Sequence, residues 1–141
     1  MALNSVSPMI TVKNVKRSLA WYQGVLGFTP EQQMPDERRP VFGIARRDDV
    51  MIMFSTGADP FEGTKPPRAV VNALATRAAQ KVVHLYLETN SLRADYNRAV
   101  KRGGKILAEP MKMPWGDREF SLRDPNGYVV HMLQPGAGRK R

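Results

Sequence analysis

Residues 84–105, HLYLETNSLRADYNRAVKRGGK, repeat the plan of residues 9–28, MITVKNVKRSLAWYQGVLGF. Laying Ser7 on His84 sets Ile10 on Leu87, Val12 on Thr89 and Asn14 on Ser91 without a gap. The same shift places Val15, Leu19, Tyr22 and Leu26 on Leu92, Tyr96, Ala99 and Gly103, and Gly27 on Gly104. In the first copy Ile10 and Val12 face one way along a short strand, because strand side chains alternate. Asn14 is a good helix N-cap, and the four apolar residues after it fall at helical spacing. Gly27 stands where a left-handed C-terminal cap forms. One offset that matches cap, buried stripe and terminal glycine marks an internal repeat.

Three strand-like runs follow each helix: 28–34, 41–46 and 50–55 in the first copy, 105–108, 119–123 and 128–134 in the second. Each half therefore reads β-α-β-β-β, and the fold class is α+β, two tandem βαβββ modules in one domain spanning residues 1–141. Module one covers 6–56, a linker 57–80, module two 81–135 and a basic tail 136–141. The linker closes on a short helical pattern over 69–78 and is long for a plain connection.

At 141 residues and 15.8 kDa the chain can bury a sizeable core, and 42% hydrophobic with 25% charged residues is ordinary for a globular protein. No apolar run approaches the roughly 20 residues of a membrane helix, so no membrane partner is expected. The N-terminus lacks a basic segment followed by a long apolar one, which argues against a secretory signal. Without cysteine there is no disulfide, thiol nucleophile or thiolate metal site, and a cytoplasmic location fits. The net charge of +9 and pI near 10.3 attract anions in general. Apart from the GRKR tail and the pairs Arg38-Arg39 and Arg46-Arg47, the cations are scattered, so a solvated surface is expected rather than specific nucleic-acid binding.

Chemistry gathers in residues 113–133, MPWGDREFSLRDPNGYVVHML, and in the chain's other histidine. His131 interrupts an apolar strand, and as a lone imidazole it reads equally as a metal ligand, a ligand contact or a hydrogen-bonded core residue. His84, Tyr86 and Glu88 share one face of their strand, opposite Leu85 and Leu87. Trp115, between Pro114 and Gly116, sits in a turning segment where an indole covers one end of the core. Phe42 and Phe54 add candidate aromatic surface in the first module. Arg118, Glu119, Arg123 and Asp124 form a charge cluster, structural in most settings, in which Glu119 is the candidate general base. Asn126-Gly127 is read as a tight turn, favoured because both residues tolerate positive φ.

With its paired modules, Val12-Lys13-Asn14, Trp21-Tyr22, Leu26-Gly27-Phe28 and Asp124-Pro125-Asn126-Gly127, the chain resembles the vicinal oxygen chelate superfamily. That group includes glyoxalase I, extradiol dioxygenases and bleomycin resistance proteins. Pro114-Trp115-Gly116, Arg118-Glu119-Phe120, Leu122-Arg123-Asp124-Pro125 and Val130-His131 are most similar to the bleomycin resistance signature. The resemblance implies a curved mixed sheet around a cleft, completed in a homodimer. It also implies four metal-ligand positions in the metal-using members, which fall here on Ser7, Ile52, His84 and His131.

Ile52 cannot coordinate, so no cofactor is preferred; a divalent metal, if present, would use His84 and His131. The expected function is nonenzymatic binding and sequestration of a small molecule, a bleomycin-type antibiotic or a similar flat aromatic. Its contacts would come from His84, Tyr86, Trp115, His131, Phe42 and Phe54. The alternative is a metal-dependent lyase, isomerase or dioxygenase. Bleomycins are cationic and the chain is at +9, a long-range repulsion that only a local acidic patch at Glu88, Glu109 and Glu119 would offset.

Overall fold

The computed structural model describes residues 5–57 and 84–136. The helix expected over 69–78 and the basic tail beyond Gly136 lie outside the described residues. The chain divides into two compact units, each carrying one βαβββ run.

In the first unit, β1 (Met9–Thr11), α1 (Val15–Leu26), β2 (Thr29–Met34), β3 (Phe42–Arg47) and β4 (Val50–Ser55) follow in order. The sheet order is β1-β4-β3-β2, with β1 parallel to β4 and the other pairs antiparallel. Asn14 Oδ1 accepts the Arg17 N–H at 2.9 Å, capping α1 as the sequence indicates. Gly27 ends the helix in the left-handed region at φ 77°. Val15, Leu19, Tyr22 and Leu26 are all buried. A Cβ on Gly43 of β3 would lie 2.8 Å from Leu19 Cδ1 and 3.0 Å from Val15 Cγ1, so the helix rests on the sheet at that glycine.

The second unit holds β5 (His84–Glu88), α2 (Leu92–Lys101), β6 (Lys105–Lys112), β7 (Arg118–Arg123) and β8 (Val129–Gln134). Its order, β5-β8-β7-β6, reproduces the first, again with one parallel pair, β5 on β8. Two local devices differ from the first copy. Ser91 makes no side-chain cap; its hydroxyl donates to Asp95, and the Leu92 N–H is taken by Gln134 Oε1 of β8 at 3.0 Å. The left-handed residue after α2 is Gly103, at φ 76°, one position before the Gly104 that the repeat offset indicates. Gly104 instead donates its N–H to the Ala99 carbonyl at 2.8 Å.

The turn from β7 to β8 falls at Asn126-Gly127, as the sequence indicates. Only Gly127 adopts positive φ, 94°, and Asn126 does not. The loop is organised by Asp124, whose Oδ1 accepts the N–H groups of Asn126 at 2.8 Å and Tyr128 at 2.9 Å. Among the described residues no helix is long and apolar enough to cross a membrane.

Candidate functional site

In the second unit Leu85, Val130, Leu122 and Phe120 are buried on the face that carries α2, where Tyr96 meets Phe120 edge-on. Strand alternation sends Tyr86, His131 and Ser121 to the opposite face. Register puts these three side by side: Tyr86 pairs with His131 across β5–β8, and His131 with Ser121 across β8–β7. The neighbouring rows are His84–Val129–Arg123 and Glu88–Leu133–Glu119.

The side chains in and beside this row form a continuous hydrogen-bonded chain. Ser121 Oγ lies 2.8 Å from His131 Nδ1, and His131 Nε2 lies 2.8 Å from His84 Nδ1. The two imidazole planes are within 9° of each other with centroids 5.1 Å apart. At that separation a 2.8 Å nitrogen contact means that the rings meet edge to edge in a common plane, which aims donor at lone pair. Tyr86 does stack face to face on His131, with centroids 4.3 Å apart at 12°. Tyr86 is 61% exposed as a residue, so the stack presents an aromatic shelf.

Three of the four imidazole nitrogens meet a polar partner, and that couples the tautomers of the two rings. With both rings neutral, one proton lies between them and Ser121 supplies or accepts at the far end. Half-burial, and then the neighbouring His84, hold the His131 pKa below its ordinary 6.5. The unfolded chain therefore binds the proton more readily, so this residue's contribution to stability is complete above about pH 6.5. It is lost as pH falls through 6.5 toward the lower folded value. The thermal midpoint should thus drop between pH 7.5 and pH 5, with a shallower drop in His131→Gln. An identical pH slope in the variant would show that His131 is not the responsible group.

The other sequence candidates are dispersed. Glu119 is buried on the same face, one row from His131. Trp115 is 64% exposed in the β6–β7 connection, beyond the Glu119 row and apart from the imidazole pair. Phe42 is half-buried in the first unit, in a row with Ser55 and Thr11. Phe54 has no exposed surface and packs against Tyr22 on the helix side of its sheet, so it belongs to the core.

Ile52, the position carried over as a metal-ligand site, is 1% exposed on that same helix side. The row equivalent to Tyr86–His131–Ser121 is Met9–Met53–Ile44, wholly apolar and displaced by one residue in β4 from the simple repeat offset. Ser7, half-buried just before β1, adds no ligating group of its own strength. The sequence reading missed Ser121. Its only signal was the shared parity with Glu119 and Arg123 on one strand, which needs the β7–β8 register to become a contact.

A tetrahedral metal would need each nitrogen about 2.0–2.1 Å away and unprotonated, and His84 Nδ1 and His131 Nε2, 2.8 Å apart, are the two imidazole nitrogens that face each other. No group of three or more His, Cys, Asp or Glu side chains gathers among the described residues. Among the described residues, two imidazoles with Ile52 and Ser7 at the other two positions make an incomplete set for a tightly held metal.

The model of the Glyoxalase/Bleomycin resistance protein/Dioxygenase superfamily matches residues 3–132. No curated protein matches the chain. Among solved structures, TioX from Micromonospora sp. ML1 is similar with TM-score 0.73 and 14% identity, covering 93% of this chain and 98% of that one. TnmS3, an antibiotic binding protein from Streptomyces sp. CB03234, has TM-score 0.66 and 22% identity, covering 96% and 99%. A glyoxalase/bleomycin resistance protein/dioxygenase from Nocardioides has TM-score 0.65 and 18% identity, covering 99% and 89%. At these identities the likeness is one of fold.

Proposed function

The chain belongs to the Glyoxalase/Bleomycin resistance protein/Dioxygenase superfamily, and within it we propose that this protein binds and sequesters a flat aromatic small molecule. The observation that carries this reading is the exposed stack of Tyr86 on His131, tied in plane to His84. A flat ring laid on such a shelf gains stacking area, and the imidazole nitrogens supply directional polar contacts. The fold-level likeness to an antibiotic binding protein supports the same class of ligand. A bleomycin-type antibiotic is the named candidate, and Trp115 and Phe42 are further contacts in this proposal. It also includes a cytoplasmic homodimer whose cleft is completed by the partner.

The charge balance selects among flat ligands. Arg123 and Lys105 stand in the row next to Tyr86–His131–Ser121, and Glu88 and Glu119 in the row on its other side. A neutral or anionic aromatic suits the +9 field, and a cationic drug has to find its complement at the two carboxylates.

Calorimetric titration with copper-free bleomycin, beside metal content by mass spectrometry on untagged protein, tests the proposal. Saturable binding should weaken about tenfold or more in Tyr86→Ala, the scale of one lost aromatic stack. Near-stoichiometric metal that leaves in His84→Ala would replace this reading with the metal-dependent one. Metal-free protein that ignores bleomycin but binds an anionic aromatic would keep the class and discard the named drug.

A further inference from the structure

We infer that Ser121, His131 and His84 form an acyl-transfer triad, in which a serine nucleophile, an imidazole base and a second imidazole behind the base stand in series. The Ser121 Oγ–His131 Nδ1 and His131 Nε2–His84 Nδ1 contacts, both 2.8 Å, place the three groups within hydrogen-bond reach in the required order. A nucleophile bonded to a base that a third group orients is the arrangement that activates serine, and it is recognised by geometry and roles rather than by fold. This activity does not depend on the aromatic-ligand reading.

In the reactive tautomer the Ser121 hydroxyl donates to His131 Nδ1, and His131 donates its Nε2–H to His84 Nδ1. Tyr86 covers one face of His131 and holds the ring in the plane of the chain.

The step balances with an ester and water. Ser121 Oγ attacks the carbonyl carbon, the Oγ–C bond forms, and the hydroxyl proton goes to His131 Nδ1. The tetrahedral adduct collapses, the bond to the leaving oxygen breaks, and that proton departs with the alcohol. Water gives a proton to the same nitrogen and attacks the acyl-serine; the acid leaves and Ser121 recovers its hydrogen. β7 lies between β6 and β8, so its backbone N–H groups mainly serve the sheet rather than an oxyanion, although β6 shifts register on both sides of Ala108, the partner of Ser121. The substrates are therefore esters of acidic phenols, whose leaving group needs little assistance.

The test uses the full chain and p-nitrophenyl acetate. Expected is a burst of p-nitrophenol, with the acetyl group located on the Ser121 peptide by mass spectrometry. Ser121→Ala and His131→Gln should each lose about 10²-fold or more in turnover, the usual scale of general-base assistance. His84→Gln, at an exposed position that spares the fold, should lose about tenfold. Undiminished hydrolysis in Ser121→Ala, or acetyl found on an imidazole or a lysine instead, would overturn the triad.

Discussion

Replacing Phe54 by alanine should destabilise the protein by about 3–5 kcal/mol, the range for deleting a fully buried aromatic side chain. The ring has no exposed surface and lies 4.9 Å from the ring of Tyr22. Tyr22 is itself fully buried and meets Phe28 edge-on at 5.9 Å. Phe54, Tyr22 of α1 and Phe28 pack in series, and deleting the Phe54 ring leaves a cavity against Tyr22 between the helix and β4. The thermal midpoint should fall on the order of 10–20 °C, and the urea midpoint should fall with an unchanged slope. Phe42→Ala, at a half-buried position, is the comparison and should cost less, about 1–2 kcal/mol. If Phe54→Ala stays within about 1 kcal/mol of wild type and loses only ligand affinity, the residue belongs to a binding wall after all.

That contrast shows where sequence reading reached its limit. In β5 the polar residues His84, Tyr86 and Glu88 alternate with Leu85 and Leu87, so the two faces could be told apart from the sequence. In β4 the run Val50–Ser55 is apolar at all but its last position, and alternation then says nothing about which face the helix covers. The facing of Phe54 could not be read from the sequence for that reason, and Ile52 stood at a ligand position only through the family resemblance. The one-residue displacement of Met53 has a related cause: the β3–β4 connection spans only Asp48 and Asp49, whereas β7 and β8 are joined through residues 124–128. An offset measured on strand and helix cannot see a turn that is longer in one copy. His84 and His131 were both legible as candidates, but their contact depends on a parallel pairing across 47 positions, and Ser121 joins them only through a second pairing.

Replacing Asp124 by alanine should cost about 2–4 kcal/mol, since hydrogen bonds to a charged acceptor contribute about 1.5–3 kcal/mol. The carboxylate is 4% exposed and holds the Asn126 and Tyr128 N–H groups. Alanine leaves these donors without that acceptor in a place with little room for water. Asp124→Asn keeps an oxygen at the same place and should lose about half as much. The functional consequence follows from register. The turn closes on Arg123–Val129, and Ser121–His131 lies two positions further along the same ladder. A slip of one residue there would send His131 to the α2 side and break both 2.8 Å contacts at once. Stability, bleomycin binding and Ser121 acetylation should therefore fall together in Asp124→Ala and be largely kept in Asp124→Asn. Asp124→Ala that unfolds at the wild-type denaturant concentration would show that the turn is held by other bonds, and that the imidazole pair owes its register to the strands alone.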